Sequence, residues 1–528
     1  MTILLINGRI HSPSHPDATA MAVRDGIVVW LGSDDVARRQ FPDAEVTDLD
    51  GAFVAPAFVD SHVHLTATGL AITGLDLIGT AGAQDLLGRV EQHLRRYPGE
   101  PVWGHGWDDT DWPRPPTTDD IDAIAPYIPV YLARVDVHSA VASSALRQRV
   151  AGLEAVKGFH PRHPLTGDAH HLVRAEARRL LTAAQRATAQ RAALDAAAAA
   201  GIVAVHECAG PDIGGAEDWQ ELRALEHPVE VIGYWGEAVS TAAQARALIE
   251  DTGAHGLAGD LFVDGALGSR TALLCEPYAD APGETGVSHL DPELIAAHLD
   301  ACTEAGITAG FHVIGDGAVT AVINALTEVV ARHGAPAVAR CGHRLEHLEM
   351  VSAEQAEKLG SWGVIASMQP SFDALWGGQD GMYARRLGPS RAARMNPFSL
   401  LASAGVPLAF GSDSPVTPMN PWQWVRAASY HRTPGAGISV RAAFAASTRG
   451  GWRAGGVRDG VTGTLVPGAP ASYAVWDTSE LEVAASEDAV ARWSTDPRSR
   501  VPALPRLAPG EPLPVCRATV HRGTVLHG

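Results

Sequence analysis

The middle of the chain alternates short apolar segments with longer segments of helical pattern. The candidate strands lie at 53–60, 201–207, 229–235, 260–264, 307–312, 344–348, 364–368 and 407–411. Helical patterns fill most of the gaps, for example at 292–305 and 353–359. Such alternation requires parallel strands joined by crossover helices, and eight repeats predict an α/β fold, the (β/α)₈ TIM-type barrel.

Three segments fall outside this repeat. The first gap between strands is far longer than one crossover needs, so we interpret about 66–190 as an insertion that covers the barrel mouth. Residues 1–55 and 460–528 contain short alternating strand patterns with NG and DG turns. We expect the two ends to pair into a small β-sandwich domain, which leaves 56–459 as the barrel.

Metal-ligating residue types follow several of the predicted strands. His62 and His64 lie two apart in VDSHVHL and therefore point to one face of a strand. His312 ends the fifth strand, His347 lies on the sixth and Asp413 follows the eighth. Barrel enzymes keep their catalytic groups at these strand ends, and imidazole and carboxylate are the ligands that zinc prefers.

Each of these residues alone is ambiguous. An HxH pair arises by chance in a chain with 23 histidines, and a single histidine is more often part of a core. The order HxH, His, His, Asp on strands one, five, six and eight is far less easily obtained by chance. The sequence therefore predicts a divalent metal site, most consistent with zinc.

The motifs resemble those of the amidohydrolase superfamily, in its amidohydrolase-3 branch. They are PAFVDSHVH (56–64), GHGWDDTDWP (104–113), DVHSAVASSAL (136–146), LFVDGALGSRTALL (261–274), FHVIGDGAV (311–319), RLEHLE (344–349) and FGSDSPV (410–416). That branch includes YtcJ-like proteins and N-substituted formamide deformylases. The resemblance implies a metal-activated water that cleaves an amide-type C–N bond, with Asp413 moving the proton.

One departure from the family pattern concerns the metal. Many relatives have a lysine at the fourth strand that becomes carboxylated and bridges two ions, whereas this chain has Asp260 there. Its only lysines, Lys157 and Lys358, lie outside the candidate strands. Asp260 is therefore either a direct carboxylate ligand or a residue that supports the ligands, and we favour one ion over two.

Other polar residues are candidates for substrate binding. They are Arg270, His138, His206 and Trp107. For Arg270 a structural salt bridge is an equal alternative, and for His206 an orientation away from the site. Two other functions stay open: a ring deaminase, which the Gly315 position after His312 disfavours, and a catalytically silent protein that kept the fold.

Composition limits the partners. The net charge is −19, which disfavours nucleic acid and anionic membranes. The five cysteines are scattered without a CxxC pair, and we see no signal peptide, so we expect a cytoplasmic protein. The expected partner is a small-molecule substrate. Family members often associate, so a homo-oligomer is compatible with the sequence, although no segment identifies an interface.

Overall fold

The computed structural model describes residues 1–478, 480–482 and 501–528 of the chain. One sheet contains eight parallel strands in the spatial order β19-β18-β17-β16-β15-β14-β13-β7, so the predicted barrel is confirmed. Its strands are β7 (Phe58–Val63), β13 (Ile202–Ala209), β14 (Glu230–Trp235), β15 (Gly256–Leu257), β16 (Thr308–Val313), β17 (Arg344–His347), β18 (Ile365–Met368) and β19 (Leu408–Phe410). A bridge between Val63 and Ser414 joins the two edges of this sheet.

Two predicted strands need correction. The segment 53–60 is divided, because the chain leaves a terminal sheet after β6 (Phe53–Pro56) and enters the barrel at β7. The fourth strand was predicted at 260–264, whereas its regular part, β15, lies earlier, and the predicted segment keeps a single parallel bridge from Phe262 to His312 of β16. Gly259 has a φ of +78° and interrupts the strand between β15 and this bridge. The apolar residues that follow are buried beside β16, where the Val263 amide donates to the His312 carbonyl oxygen and the His312 amide donates to the Leu261 carbonyl oxygen.

The insertion forms a small sheet of its own between β7 and β13, in the order β12-β11-β10-β9-β8. Its strands are β8 (Leu75–Asp76), β9 (Val102–Trp107), β10 (Val130–Arg134), β11 (Ser139–Ala142) and β12 (Leu165–Thr166). Its helices are α2 (Leu65–Thr73), α3 (Ala83–Arg96), α4 (Thr118–Ile124), α5 (Ser144–Arg147), α6 (Gly167–Arg179) and α7 (Ala183–Ala199). Separate apolar clusters inside this segment give it its own core.

Both ends of the chain contribute to two packed sheets beside the barrel, of order β4-β3-β1-β5 and β2-β6-β20-β23-β24. Their strands are β1 (Thr2–Ile6), β2 (Arg9–Ile10), β3 (Ala20–Arg24), β4 (Ile27–Gly32), β5 (Glu45–Asp48), β20 (Tyr473–Asp477), β23 (Val515–His521) and β24 (Thr524–His527). One apolar cluster joins residues of both sheets, for example Met21 with Val475, so the expected β-sandwich is present. A further pair is β21 (Leu481–Glu482) with β22 (Leu504–Pro505). Part of the predicted 460–528 segment lies outside the described residues.

The remaining helices surround the barrel or connect its strands. They are α1 (Asp34–Gln40), α8 (Gly215–Ala224), α9 (Ala242–Thr252), α10 (Pro292–Ala305), α11 (Asp316–His333), α12 (Ala335–Cys341), α13 (Ala353–Trp362), α14 (Pro370–Trp376), α15 (Met382–Leu387), α16 (Pro389–Ala392), α17 (Phe398–Ser403), α18 (Pro421–Ser429), α19 (Val440–Ala445) and α20 (Gly451–Ala454). Within the described ranges, no helix has the length and apolar character needed to cross a membrane.

Candidate active site

Six polar side chains meet at the carboxyl ends of the barrel strands. This group, called the mouth cluster below, consists of His62, His64, Asp260, His312, His347 and Asp413. All six are buried. The five residues predicted as metal ligands are therefore brought together, and Asp260 lies among them.

The ligand atoms of the first part of the cluster are evenly spaced. His62 Nε2 lies 3.4 Å from Asp260 Oδ1 and 3.4 Å from Asp413 Oδ1. His64 Nε2 lies 3.1 Å from Asp260 Oδ2 and 3.4 Å from Asp413 Oδ1. Zinc bonds of about 2.0–2.1 Å in a tetrahedral shell separate neighbouring ligand atoms by roughly 3.3 Å. The atoms of His62, His64 and Asp413 lie within 4.8 Å of one another and suit one such ion, while Asp260 forms a second such set with His62 and His347.

Asp260 also contacts the other two histidines. Its Oδ1 atom is 3.5 Å from His312 Nδ1 and 3.7 Å from His347 Nε2. Because Asp260 follows the short strand β15, its carboxylate reaches the centre of the cluster despite its short side chain. Every histidine of the cluster therefore has a nitrogen close to this one carboxylate.

The opposite ring nitrogens of three histidines are held by the protein. His62 Nδ1 donates to Glu346 Oε2 at 2.9 Å, and His347 Nδ1 donates to Gln369 Oε1 at 2.8 Å. His312 Nε2 lies 3.4 Å from the Gly265 carbonyl oxygen. A carboxylate or carbonyl can only accept, so these contacts leave the nitrogen that faces the cluster without a proton in the neutral ring.

Beneath the mouth cluster, one arginine is surrounded by acceptors. Arg344 Nη2 donates to the Ser61 carbonyl oxygen at 2.6 Å and to Ser367 Oγ at 2.9 Å. Its Nη1 donates to His206 Nδ1 at 2.9 Å, and its guanidinium also pairs with Glu346. We call Arg344, Glu346, His206 and Ser367 the Arg344 layer. Through Glu346, this layer orients the His62 ring.

Side-chain and backbone contacts hold the ends of β7 and β19 together. Asp60 Oδ2 accepts from Ser412 Oγ at 2.5 Å, and Asp60 Oδ1 accepts from the Ser412 amide at 2.9 Å. The Asp413 amide donates to the His62 carbonyl oxygen at 2.8 Å. Asp413 and His347 have positive φ angles of 54° and 70°, a conformation that costs free energy and is concentrated at functional sites.

Mutual electrostatics sets the protonation of the cluster. Burial lowers the pKa of His64, but Asp260 and Asp413 outweigh this effect and raise it to about 9. Burial raises the pKa of the Asp260 carboxyl, yet the surrounding histidines, His62 foremost, hold it well below its usual range. The two carboxylates thus attract positive charge to the cluster, whether protons or a cation.

Several cluster atoms have no protein partner. His62 Nε2, Asp260 Oδ1, His312 Nδ1 and His347 Nε2 are buried and make no hydrogen bond within the described part of the chain. Buried polar atoms are normally paired, so this concentration of unpaired atoms in one place requires a ligand. Nitrogen and oxygen donors at this spacing fit a divalent metal.

The insertion covers the cluster. A cavity of about 40 Å³ is lined by His64, Asp260, His312, His347 and Asp413 on one side and by Trp103, Tyr131, His138, Arg174 and Arg178 of the insertion on the other. The His138 amide donates to Asp136 Oδ1 at 3.2 Å, which helps to fix this residue. Its ring centroid lies 5.0 Å from that of His312. Of the four predicted substrate-binding residues, His138 lines this cavity.

The other three predicted substrate-binding residues lie elsewhere. Trp107 is in the core of the insertion, where Nε1 donates to the Leu132 carbonyl oxygen at 2.9 Å. Arg270 forms a salt bridge of 2.8 Å with Asp280. His206 is in the Arg344 layer, inside the barrel. None of the three lines the cavity described above.

Sequence reasoning missed residues that support the cluster. Glu346 and Arg344 lie in the motif RLEHLE, where charged residues in a buried strand were a usable signal. Gln369 follows β18 and carried no motif. Arg174 and Arg178 lie on α6, in a helical segment that was interpreted only as part of an insertion.

The chain belongs to the amidohydrolase family, whose model matches residues 45–527. It is 28% identical to the putative amidohydrolase YtcJ of Bacillus subtilis over 78% of this chain and 79% of that protein. A stretch of 151 residues is 30% identical to N-substituted formamide deformylase of Arthrobacter pascens, covering 27% of this chain and 28% of that enzyme. The resemblance inferred from the motifs is therefore confirmed.

A solved structure has the same fold. It is that of an uncharacterized metal-dependent hydrolase from Pyrococcus furiosus, which is 27% identical. The similarity covers 91% of this chain and 99% of that chain, with a TM-score of 0.69. The two chains therefore share a fold over nearly their whole length.

Proposed function

We propose that this protein is a divalent-metal-dependent hydrolase that cleaves an amide-type C–N bond, with N-substituted formamides as the first substrates to test. The observation that carries the proposal is the set of buried, unpartnered atoms of the mouth cluster. The partial similarity to a formamide deformylase supports the choice of bond.

Four side chains would hold one tightly bound ion, for which zinc is the best match. They are His62, His64 and Asp413, whose ligand atoms lie within 4.8 Å of one another, and Asp260, whose two carboxylate oxygens lie 3.4 Å from His62 Nε2 and 3.1 Å from His64 Nε2. Asp260 is then a direct ligand rather than a supporting residue. His312 and His347 also face Asp260, so they would bind a second, weaker ion or orient the substrate carbonyl.

A bound divalent cation supplies Lewis-acid polarisation of the carbonyl and makes water acidic near neutral pH. The protein supplies the proton transfer: Asp413 accepts the proton of the attacking water and donates it to the leaving nitrogen as the C–N bond breaks. The cavity over the cluster is narrow, so the insertion excludes bulk water from this step.

Formate release from N-benzylformamide by the metal-loaded protein tests the proposal. We expect turnover that a chelator abolishes and added zinc restores, and a loss of about a hundredfold or more in Asp413→Asn. Asp195→Asn is the matched control, because this exposed carboxylate lies on α7, outside the site.

Two results would contradict the proposal. Ammonia release from an amino-substituted heterocycle such as cytosine, without formamide cleavage, would favour the ring-deaminase alternative. Bound metal without turnover of formamides, acetamides or heterocycles would favour the catalytically silent alternative. Zinc, the ion count and a cytoplasmic location stay predictions, as do the domain boundaries 56–459 and 66–190.

A further inference from the structure

Two arginines of the insertion face the same cavity as the mouth cluster. Arg174 and Arg178 are four residues apart on α6 and therefore lie on one face of the helix. Both line the cavity together with His64, Asp260 and Asp413. Arg174 is only 6% exposed.

Neither arginine has a carboxylate partner. Arg174 Nη2 donates to the Asp212 carbonyl oxygen at 2.6 Å, and Arg178 Nη1 lies 3.3 Å from the same oxygen. Arg174 Nε is buried and makes no hydrogen bond in the described part of the chain. Among the described residues, no ion pair involves either guanidinium, whereas the buried Arg134 pairs with three aspartates.

This arrangement is unfavourable without a ligand. Two like charges lie on adjacent turns, with Arg174 buried and Arg178 partly exposed, and burial together with Arg174 lowers the pKa of Arg178 to about 9. A buried charge without a partner destabilises a protein strongly. Uncompensated charge in a cavity beside reactive groups is typical of a binding site for the opposite charge.

We propose that Arg174 and Arg178 bind a carboxylate of the substrate while its amide group lies at the mouth cluster. The inference rests on the proposed hydrolase function and defines the substrate class more narrowly. Guanidinium groups match the planar geometry of a carboxylate. A single negative charge suits this cavity, because Asp260 and Asp413 in the same walls would repel a dianion.

The rest of the molecule needs more room than 40 Å³, and a neighbouring cavity of about 230 Å³ shares His64, Trp103 and Arg178 with this one. Trp103, Tyr131 and Phe262 line the cavity and offer ring surfaces. Such surfaces favour an apolar group between the two polar ends. The substrate is therefore expected to be an amide that carries both a carboxylate and an apolar side group.

Paired substrates test this inference through kcat/KM. N-formylphenylalanine and N-formylphenethylamine differ only by the carboxylate. We expect the wild-type protein to prefer the acid, and Arg174→Ala and Arg178→Ala each to lower kcat/KM for the acid by about tenfold to a hundredfold. Turnover of the neutral amide should persist. Arg191→Ala, an exposed arginine on α7, is the control for loss of one positive charge.

A binding measurement does not depend on turnover. Calorimetry with the metal-loaded protein compares 3-phenylpropanoate with 3-phenylpropanamide. The arginine variants should lose the preference for the anion, whereas a carboxylate that binds only to metal would keep it. If Arg174→Ala does not fold, Arg174→Lys replaces it and should weaken the preference, because it keeps charge and loses the planar fork.

Three outcomes would overturn the inference: equal weakening of both ligands in the variants, an anion preference that survives both substitutions, or tighter binding of 2-phenylethyl phosphate than of 3-phenylpropanoate. Failure of the proposed hydrolase function would give a different result from failure of the carboxylate-binding proposal. In that case no formamide is hydrolysed, but the anion preference and its loss in the variants are still observed.

Discussion

The mouth cluster and the Arg344 layer are adjacent, equally buried and equally polar, but they differ in how their polar atoms are satisfied. In the Arg344 layer both charged groups are paired: Arg344 has partners at Nε, Nη1 and Nη2, and Glu346 is held by Arg344 and His62. Within the described part of the chain, His206 Nε2 is the one buried side-chain atom of this layer without a hydrogen bond. In the mouth cluster, His312 Nδ1 and His347 Nε2 are buried without a hydrogen bond.

This difference in hydrogen bonding indicates a structural role for the Arg344 layer and a binding role for the mouth cluster. A closed network of buried charges stabilises one arrangement of the barrel interior, because each charge compensates another. An open cluster such as the mouth cluster keeps its nitrogen and oxygen atoms free to bind a metal ion. His62 belongs to both, since one ring nitrogen faces Glu346 and the other faces the cluster.

The largest effect on stability is expected in the Arg344 layer. Glu346→Gln leaves Arg344 buried without a negative partner, which should lower the free energy of unfolding by about 3–5 kcal/mol. Urea denaturation of the metal-free protein measures this change. Glu354→Gln, at an exposed helix pair with Lys358, is the matched control and should change stability by less than about 1 kcal/mol. Equal effects of the two substitutions would remove the distinction between the regions.

A smaller effect is expected where a support of the cluster is removed without leaving a buried charge. Gln369→Ala deletes the acceptor that orients His347, so metal affinity should fall by about tenfold to a hundredfold. Competition with a chromophoric chelator measures the affinity. A loss of stability in the metal-free protein with unchanged metal affinity would show that Gln369 belongs to the closed, structural network instead.

The smallest effect is expected at a half-exposed pair that links the barrel to the terminal sheets. Glu230 contacts His521 and Arg522, and the hydrogen bond with His521 lowers the pKa of Glu230 below its usual value of 4.5. A lowered pKa means that the stabilisation is present above pH 4.5 and is lost as the pH falls through the lowered value. Glu230→Gln should therefore cost less than about 1 kcal/mol at neutral pH.

The pH dependence provides the check on that interpretation. Thermal unfolding of wild type and Glu230→Gln at a series of pH values should show a difference that disappears in acid. A difference that stays constant down to the lowest pH would mean that packing, not charge, connects the two parts.

The residues that could be predicted from the sequence are those placed by strand periodicity. His62, His64, His312, His347 and Asp413 follow from alternation and from the position of strand ends. The barrel follows from the repeat of strands and helices. These features depend on local patterns, which a sequence shows directly.

The residues that could not be predicted depend on contacts between distant segments. Arg174 reaches the cavity because α6 packs over the barrel mouth, and no local pattern indicates this. Arg270 was a candidate because of its motif, but its guanidinium pairs with the carboxylate of Asp280, ten residues away. Asp260 was assigned to a regular strand, whereas Gly259 interrupts the strand before it and only Phe262 forms a bridge to β16.

The central claim is that the mouth cluster binds a divalent metal with Asp260 as a ligand. Elemental analysis of the purified, dialysed protein tests it most directly, with His62→Ala and Asp260→Asn beside wild type. We predict about one equivalent of metal in wild type and its loss in both variants. Wild-type protein that contains no metal after expression with ample zinc would contradict the claim, and metal retained in Asp260→Asn would contradict the role of Asp260.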